Sequence, residues 1–97
     1  MGRRDDMKEY GTMPGTVTMY STTWCGYCRR LKSQLEREGI AYEEIDIEQE
    51  PSAVALVEKA NNGNRTVPTV VVSPESGGDE VTMTNPSLLQ VKQALTA

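Results

Sequence analysis

The sequence contains no histidine. Without an imidazole, Cys–His hydrolase chemistry is excluded, as are the usual zinc ligand sets. Cysteine is scarce, with only two in the chain. A structural zinc site takes about four ligands, so two cysteines cannot build one within a single chain. Nor do two cysteines make the disulfide framework of a small secreted domain. Long apolar runs are missing. No stretch approaches a membrane span, and the N-terminus has no apolar h-region, so the chain is expected to be soluble and cytoplasmic, with no membrane partner. An excess of positive charge is missing too. Ten Lys and Arg against fourteen Asp and Glu give a net charge of −4, which argues against a nucleic-acid partner. Repeats and low-complexity tracts are absent. The 97 residues are those of one domain with a modest core that needs no staples.

Both cysteines lie in one stretch, Trp24-Cys25-Gly26-Tyr27-Cys28. It follows a strand-like run, Thr16 to Ser21, and opens a helix-like run, Arg29 to Glu38. Residues three apart on a helix share a face, so the two sulfurs can meet. The start of a helix also offers free N–H groups and the positive end of its dipole to an anion. A free thiol titrates near about 8.5, and such motifs bring the first cysteine to roughly 3.5–7.5. Cys25 is therefore the expected nucleophile. Cys28, a turn further in and less exposed, is the candidate resolving thiol. Trp24 and Tyr27 sit in the turn itself and are read as rims of the sulfur site. Arg29, one turn from the sulfur, is placed to act on Cys25 electrostatically. Lys32 reads as part of a solvated face.

The remaining pattern gives the order βαβαββα. Residues 1–15 are polar and aperiodic, and read as a flexible N-terminal tail preceding a domain over 16–97. In the first strand Val17 and Met19 share a face and Tyr20 takes the other. Cys28, Leu31 and Leu35 form the core stripe of the first helix, which Gly39 ends as a left-handed cap. Tyr42 to Ile47 is a second strand. Pro51 opens a second helix with Ala53, Leu56, Val57 and Ala60 at helical spacing, stopped by Asn61-Asn62-Gly63. Pro68 to Val72 is a third strand, its valines buried on both faces. A hairpin through Gly77-Gly78 leads to a fourth strand, Glu80 to Thr84. Asn85 as cap and Pro86 at the first position start the last helix, whose stripe is Leu88, Val91 and Leu95. The first two strands, joined through a helix, should be parallel, and the last two antiparallel.

Thr66-Val67-Pro68 carries a second signal. In this fold order a proline at that point is expected to be cis and to lie against the redox turn. It would leave the Val67 backbone open to an extended substrate that pairs as an added strand. Arg65, just before Thr66, serves equally as a substrate contact or as ordinary loop charge.

Residues 16–96 resemble the glutaredoxin family. The blocks that carry the resemblance are Tyr20 to Cys28, Gly63-Asn64-Arg65-Thr66-Val67-Pro68-Thr69 and Thr84-Asn85-Pro86-Ser87. The third block points to the mycoredoxin branch, whose thiol is mycothiol. The resemblance implies an α/β, thioredoxin-like fold of glutaredoxin type, with a four-stranded mixed sheet flanked by three helices. It implies a thiol–disulfide oxidoreductase that reduces mixed disulfides between mycothiol and proteins. The Cys25 thiolate would be the nucleophile, mycothiol a co-substrate, and the enzyme a monomer with no bound cofactor or metal. Glutathione-using members usually carry a lysine three residues before the first cysteine, where Thr22 stands here. They also carry a Gly-Gly motif with an aspartate after the last strand, where Thr84 is followed by Asn85-Pro86-Ser87. Those groups hold the charged ends of glutathione. Mycothiol is a cysteine joined to sugars and has no carboxylates to hold, so Thr22, Thr84 and Asn85 join Trp24, Tyr27, Arg65, Thr66, Val67 and Pro68 as expected substrate contacts.

Two alternatives stand beside this reading. Some small glutaredoxin-like proteins donate electrons to ribonucleotide reductase and are recharged by thioredoxin reductase. They usually carry an aromatic-rich segment near the C-terminus, and residues 85–97 contain no aromatic. Other members hold a [2Fe–2S] cluster between two subunits with one cysteine each, which Cys25 could supply in a dimer.

Overall fold

The computed structural model describes residues 15–97. The elements run β1 (Thr16–Ser21), α1 (Gly26–Arg37), β2 (Glu43–Asp46), α2 (Pro51–Ala60), β3 (Thr69–Ser73), β4 (Val81–Thr84) and α3 (Leu88–Leu95). The order is the expected βαβαββα. One four-stranded sheet is ordered β2-β1-β3-β4. β1 pairs parallel with β2, and both β1–β3 and β3–β4 are antiparallel. The mixed sheet with three helices is the thioredoxin-like α/β arrangement.

Side-chain alternation along the two central strands divides the core into two layers. Val17 and Met19 of β1 and Val70 and Val72 of β3 point to one face, where they meet Cys28, Leu31 and Leu35 of α1 and Val91, Ala94 and Leu95 of α3. The opposite face is smaller. There Ile47, Ala53 and Val57 are buried, with Tyr20, Ile45, Val54 and Val67 packed against them. Val71 lies on this thinner side and is only half-buried, so the valine run of β3 is fully covered on one face rather than two. The α2 stripe also differs from the expected one. The covered arc passes through Ala53, Val54, Val57 and the cap residue Asn61, and leaves Leu56 and Ala60 exposed on its flank.

Helix ends show where local chemistry decided. Gly39 has φ +70, and a Cβ there would meet nothing within 4 Å. Backbone conformation, not space, therefore favours glycine after α1. Gly15 is the opposite case, since a Cβ there would collide with the Ser73 carbonyl oxygen. It packs against the sheet, while residues 1–14 of the expected tail lie outside the described residues. At α3 the cap is Ser87, not Asn85. The Ser87 hydroxyl accepts the Gln90 N–H at 3.1 Å and the Gln90 carboxamide accepts the Ser87 N–H at 2.8 Å. This reciprocal pair satisfies two donors at once, which a lone cap cannot do. Asn85 instead turns the chain at φ +47.

The core assignment gives a stability prediction. Leu35 is fully buried between α1 and the sheet. Leu35→Ala should lower the unfolding free energy by about 2–5 kcal/mol, read from the midpoint shift of a denaturant titration. A loss below half a kilocalorie would place Leu35 outside the core.

Candidate active site

Strand register assembles the site at one end of the sheet. Tyr20 pairs with Thr69, so residues following β1 lie beside those preceding β3. Ser21 pairs with Asp46, which brings Ile47 and Glu48 to the same end. Thr84 pairs with Thr69, which adds Asn85. The redox turn, the Thr66-Val67-Pro68 loop and the end of β4 are therefore neighbours, although they are far apart in sequence.

α1 starts at Gly26, one turn earlier than the sequence pattern marks, and Cys25 is its N-cap with extended φ −83 and ψ 112. The Cys28 N–H donates to Cys25 Sγ at 3.1 Å. A serine or aspartate oxygen usually takes this capping role; here a sulfur does. A backbone donor and the N-terminal end of the helix both meet that sulfur. The Cys25 N–H donates to the Thr22 carbonyl at 3.3 Å and closes the turn. Cys25 is 5% exposed and Cys28 1%. Burial, followed by the hydrogen bond with Cys25, pushes the Cys28 thiol up to about 12. A thiol raised this far stays protonated near neutral pH.

The Val67–Pro68 bond is cis. The Val67 carbonyl oxygen lies 3.8 Å from Cys25 Sγ and accepts from it in the thiol form. The Thr66 carbonyl accepts from the Thr69 hydroxyl at 2.8 Å, and the Pro68 carbonyl accepts the Asn85 N–H at 2.7 Å.

The other candidate residues fall into two depressions. Thr22, Trp24 and Arg65 line a cavity of about 620 Å³ with Ile47, Glu48, Pro51 and Val54. In it the exposed Trp24 indole donates to Glu48 Oε2 at 3.2 Å, and Arg65 Nε pairs with Glu58 at 3.0 Å. Thr22 Oγ1 is buried and has no hydrogen-bond partner within the described residues. Tyr27 and Asn85 line a second groove of about 310 Å³ between α1 and the start of α3. Thr84 turns its hydroxyl to Asn61 Oδ1. Arg29 does not face the sulfur; its guanidinium donates to the Thr23 carbonyl at 3.1 Å.

Several contributors carry no sequence signal. Glu48 is one of many surface acids, and only the β1–β2 register brings it to Trp24. Glu44 shares a small cavity with Cys28, Thr22 and Lys32. Its carboxylate accepts from the Ser21 hydroxyl at 2.6 Å and from Lys32 Nζ at 3.0 Å. The Ser21 bond, then Lys32, holds it below the usual carboxylate range despite partial burial. Lys32 is therefore an ion-pair partner rather than a solvated charge. Asn61 reads as a helix stop, yet it joins three elements near the Val67 loop.

The glutaredoxin family model matches residues 17–76. This match spans the redox turn, α2 and the loop bearing the cis proline. The chain belongs to the glutaredoxin family. It is 49% identical over 79 residues to a protein of Mycobacterium tuberculosis that carries the glutaredoxin name, covering 81% of this chain and 88% of that one. It is 43% identical over 75 residues to mycoredoxin 1 of Corynebacterium glutamicum, covering 77% of this chain and 86% of that one. Among solved structures it resembles the glutaredoxin of Archaeoglobus fulgidus, with a TM-score of 0.64 and 26% identity, covering 99% of this chain and all of that one. The family is one of thiol–disulfide redox proteins, and Cys25 and Cys28 supply the dithiol.

The raised Cys28 thiol gives a reactivity prediction. A thiol titrating near about 12 is protonated at pH 8, and the thiolate is the form that alkylates. Iodoacetamide added at pH 8 to reduced protein should label Cys25 and leave Cys28 unlabelled, read by peptide mass mapping. Equal labelling of both cysteines in the folded protein would contradict the assignment.

Proposed function

We propose that the protein reduces mixed disulfides between mycothiol and proteins by a monothiol route. The observation that carries this reading is the 620 Å³ cavity at Thr22. Glutathione brings two carboxylates, which need cationic partners. Arg65, the cation among the lining residues, is engaged by Glu58, and Glu48 adds a negative charge beside Trp24. Thr22 contributes a neutral hydroxyl in place of a lysine. A sugar-bearing thiol with hydroxyls and no carboxylate suits such a lining better, since an anion there would lack compensation. The 43% identity to mycoredoxin 1 supports the same thiol.

In this mechanism the Cys25 thiolate attacks the mycothiol sulfur of a mixed disulfide. The protein thiolate leaves with the electron pair and takes a proton, and Cys25 is left bonded to mycothiol. A second mycothiol thiolate attacks that same sulfur, freeing Cys25 and forming oxidised mycothiol. The Val67 backbone, beside Cys25, would pair with the extended substrate, with Thr66, Pro68, Thr84 and Asn85 around it and Trp24 and Tyr27 at the rims. Cys28 acts as a side partner that can divert Cys25 into an internal disulfide. The protein would act as a cytoplasmic monomer, in a compartment that keeps such dithiols reduced.

Two variants separate the roles. Cys25→Ser should abolish exchange. Cys28→Ser should keep turning over a mycothiolated substrate when mycothiol and its reductase regenerate the enzyme, and should trap a Cys25–mycothiol adduct when no second thiol is supplied. Steady-state rates and intact mass decide. Loss of nearly all turnover in Cys28→Ser, with wild type active in the same mixture, would reject the monothiol route and make Cys28 obligatory.

A further inference from the structure

Asn61 ends α2, and its carboxamide works at a junction. Nδ2 donates to the Val57 carbonyl at 2.7 Å and to Thr69 Oγ1 at 2.9 Å. Oδ1 accepts from the Thr84 hydroxyl. The orientation of the amide is fixed by chemistry, because the Val57 carbonyl can only accept and so must face the NH2 group. Having accepted from Asn61, the Thr69 hydroxyl donates onward to the Thr66 carbonyl at 2.8 Å. One residue beyond Thr84, the Asn85 N–H holds the Pro68 carbonyl at 2.7 Å. Both residues flanking Val67 are thus braced, Thr66 through Thr69 and Pro68 through the end of β4. The amide of Asn61 is the node that the two braces share. Val67, between them, carries the carbonyl 3.8 Å from Cys25 Sγ.

A network of this kind stiffens what it holds when every member has a partner, and loosens when one is removed. Alanine at position 61 would leave the Thr69 and Thr84 hydroxyls and the Val57 carbonyl without that partner. Aspartate would set an anionic oxygen against the Val57 carbonyl.

We propose that Asn61 is a positioning residue for thiol–disulfide exchange: through Thr69 and Thr84 it fixes the Val67 backbone beside Cys25, so that an extended disulfide-bearing peptide docks in register with the nucleophile. Asn61 itself touches neither the sulfur nor the substrate. The inference rests on the reading that substrate pairs at Val67. It does not depend on which low-molecular-weight thiol the protein uses.

Two reactions of the reduced protein test it, and neither contains mycothiol, so this inference and the mycothiol reading can fail separately. In the first, iodoacetamide alkylates Cys25; this electrophile is too small to pair with the Val67 backbone as a strand. In the second, the substrate is an extended peptide whose single cysteine is joined to thionitrobenzoate by a disulfide. The Cys25 thiolate attacks the peptide sulfur, the disulfide breaks, and coloured thionitrobenzoate leaves as the thiolate. Asn61→Ala should slow the peptide reaction by roughly five- to tenfold, the scale of a lost buried hydrogen bond, and leave alkylation within about twofold. Thr69→Val, which keeps the side-chain shape and removes the hydroxyl, should give the same selective loss. It carries the test if Asn61→Ala does not fold. Thr69→Ser, which restores the hydroxyl, should recover the peptide rate. An unchanged peptide rate in Asn61→Ala or Thr69→Val, parallel slowing of both reactions, or failure of Thr69→Ser to recover the rate would overturn the proposal.

Discussion

The site depends on one hydrogen bond, from the Cys28 N–H to Cys25 Sγ at 3.1 Å. It makes a sulfur the cap of α1. The first turn of a helix has unsatisfied donors that some group must take up. By using the Cys25 sulfur for this purpose, the fold ties the start of α1 to that side chain. The same turn buries Cys28 against the core, where desolvation keeps its thiol protonated. Two chemically identical residues three positions apart are thereby given different surroundings by their places on one helix.

The second constraint is the pairing of β1 with β3. Tyr20 opposite Thr69 sets the redox turn beside the loop at Val67. A slip of one residue would turn the buried face of one strand away from that of the other and shift the loop relative to the sulfur. Val17, Met19, Val70 and Val72, all buried on one face, oppose such a slip. The packing that stabilises the domain is therefore also what fixes the distance between Cys25 Sγ and the Val67 backbone.

Much of this was legible in the residue pattern. Periodicity marked β1 with its buried Val17 and Met19, the Cys28, Leu31 and Leu35 stripe, and the span of α2, because each depends on spacing within a few residues. The failures have a common physical source, competition between local signals settled by distant partners. Asn85 and Ser87 both suit a helix cap; the Pro68 carbonyl claims the backbone of Asn85, and Gln90 completes the box at Ser87. Leu56 and Ala60 keep helical spacing, yet the sheet covers a different arc of α2. Asn61, Glu48 and Glu44 gain their roles from strand register alone, which no local window contains. In the cavity at Thr22, by contrast, the neutral hydroxyl was readable directly, because it depends on one side chain standing where the family usually has a lysine.

The central claim is that Cys25 exchanges with a thiol carrying sugars rather than carboxylates. Its most direct test is mass spectrometry of the reduced protein after brief exposure to equal concentrations of oxidised mycothiol and oxidised glutathione together. The account predicts that the adduct on Cys25 is predominantly mycothiol, with Cys28 free of adduct. A predominant glutathione adduct on Cys25, or adducts mainly on Cys28, would contradict it.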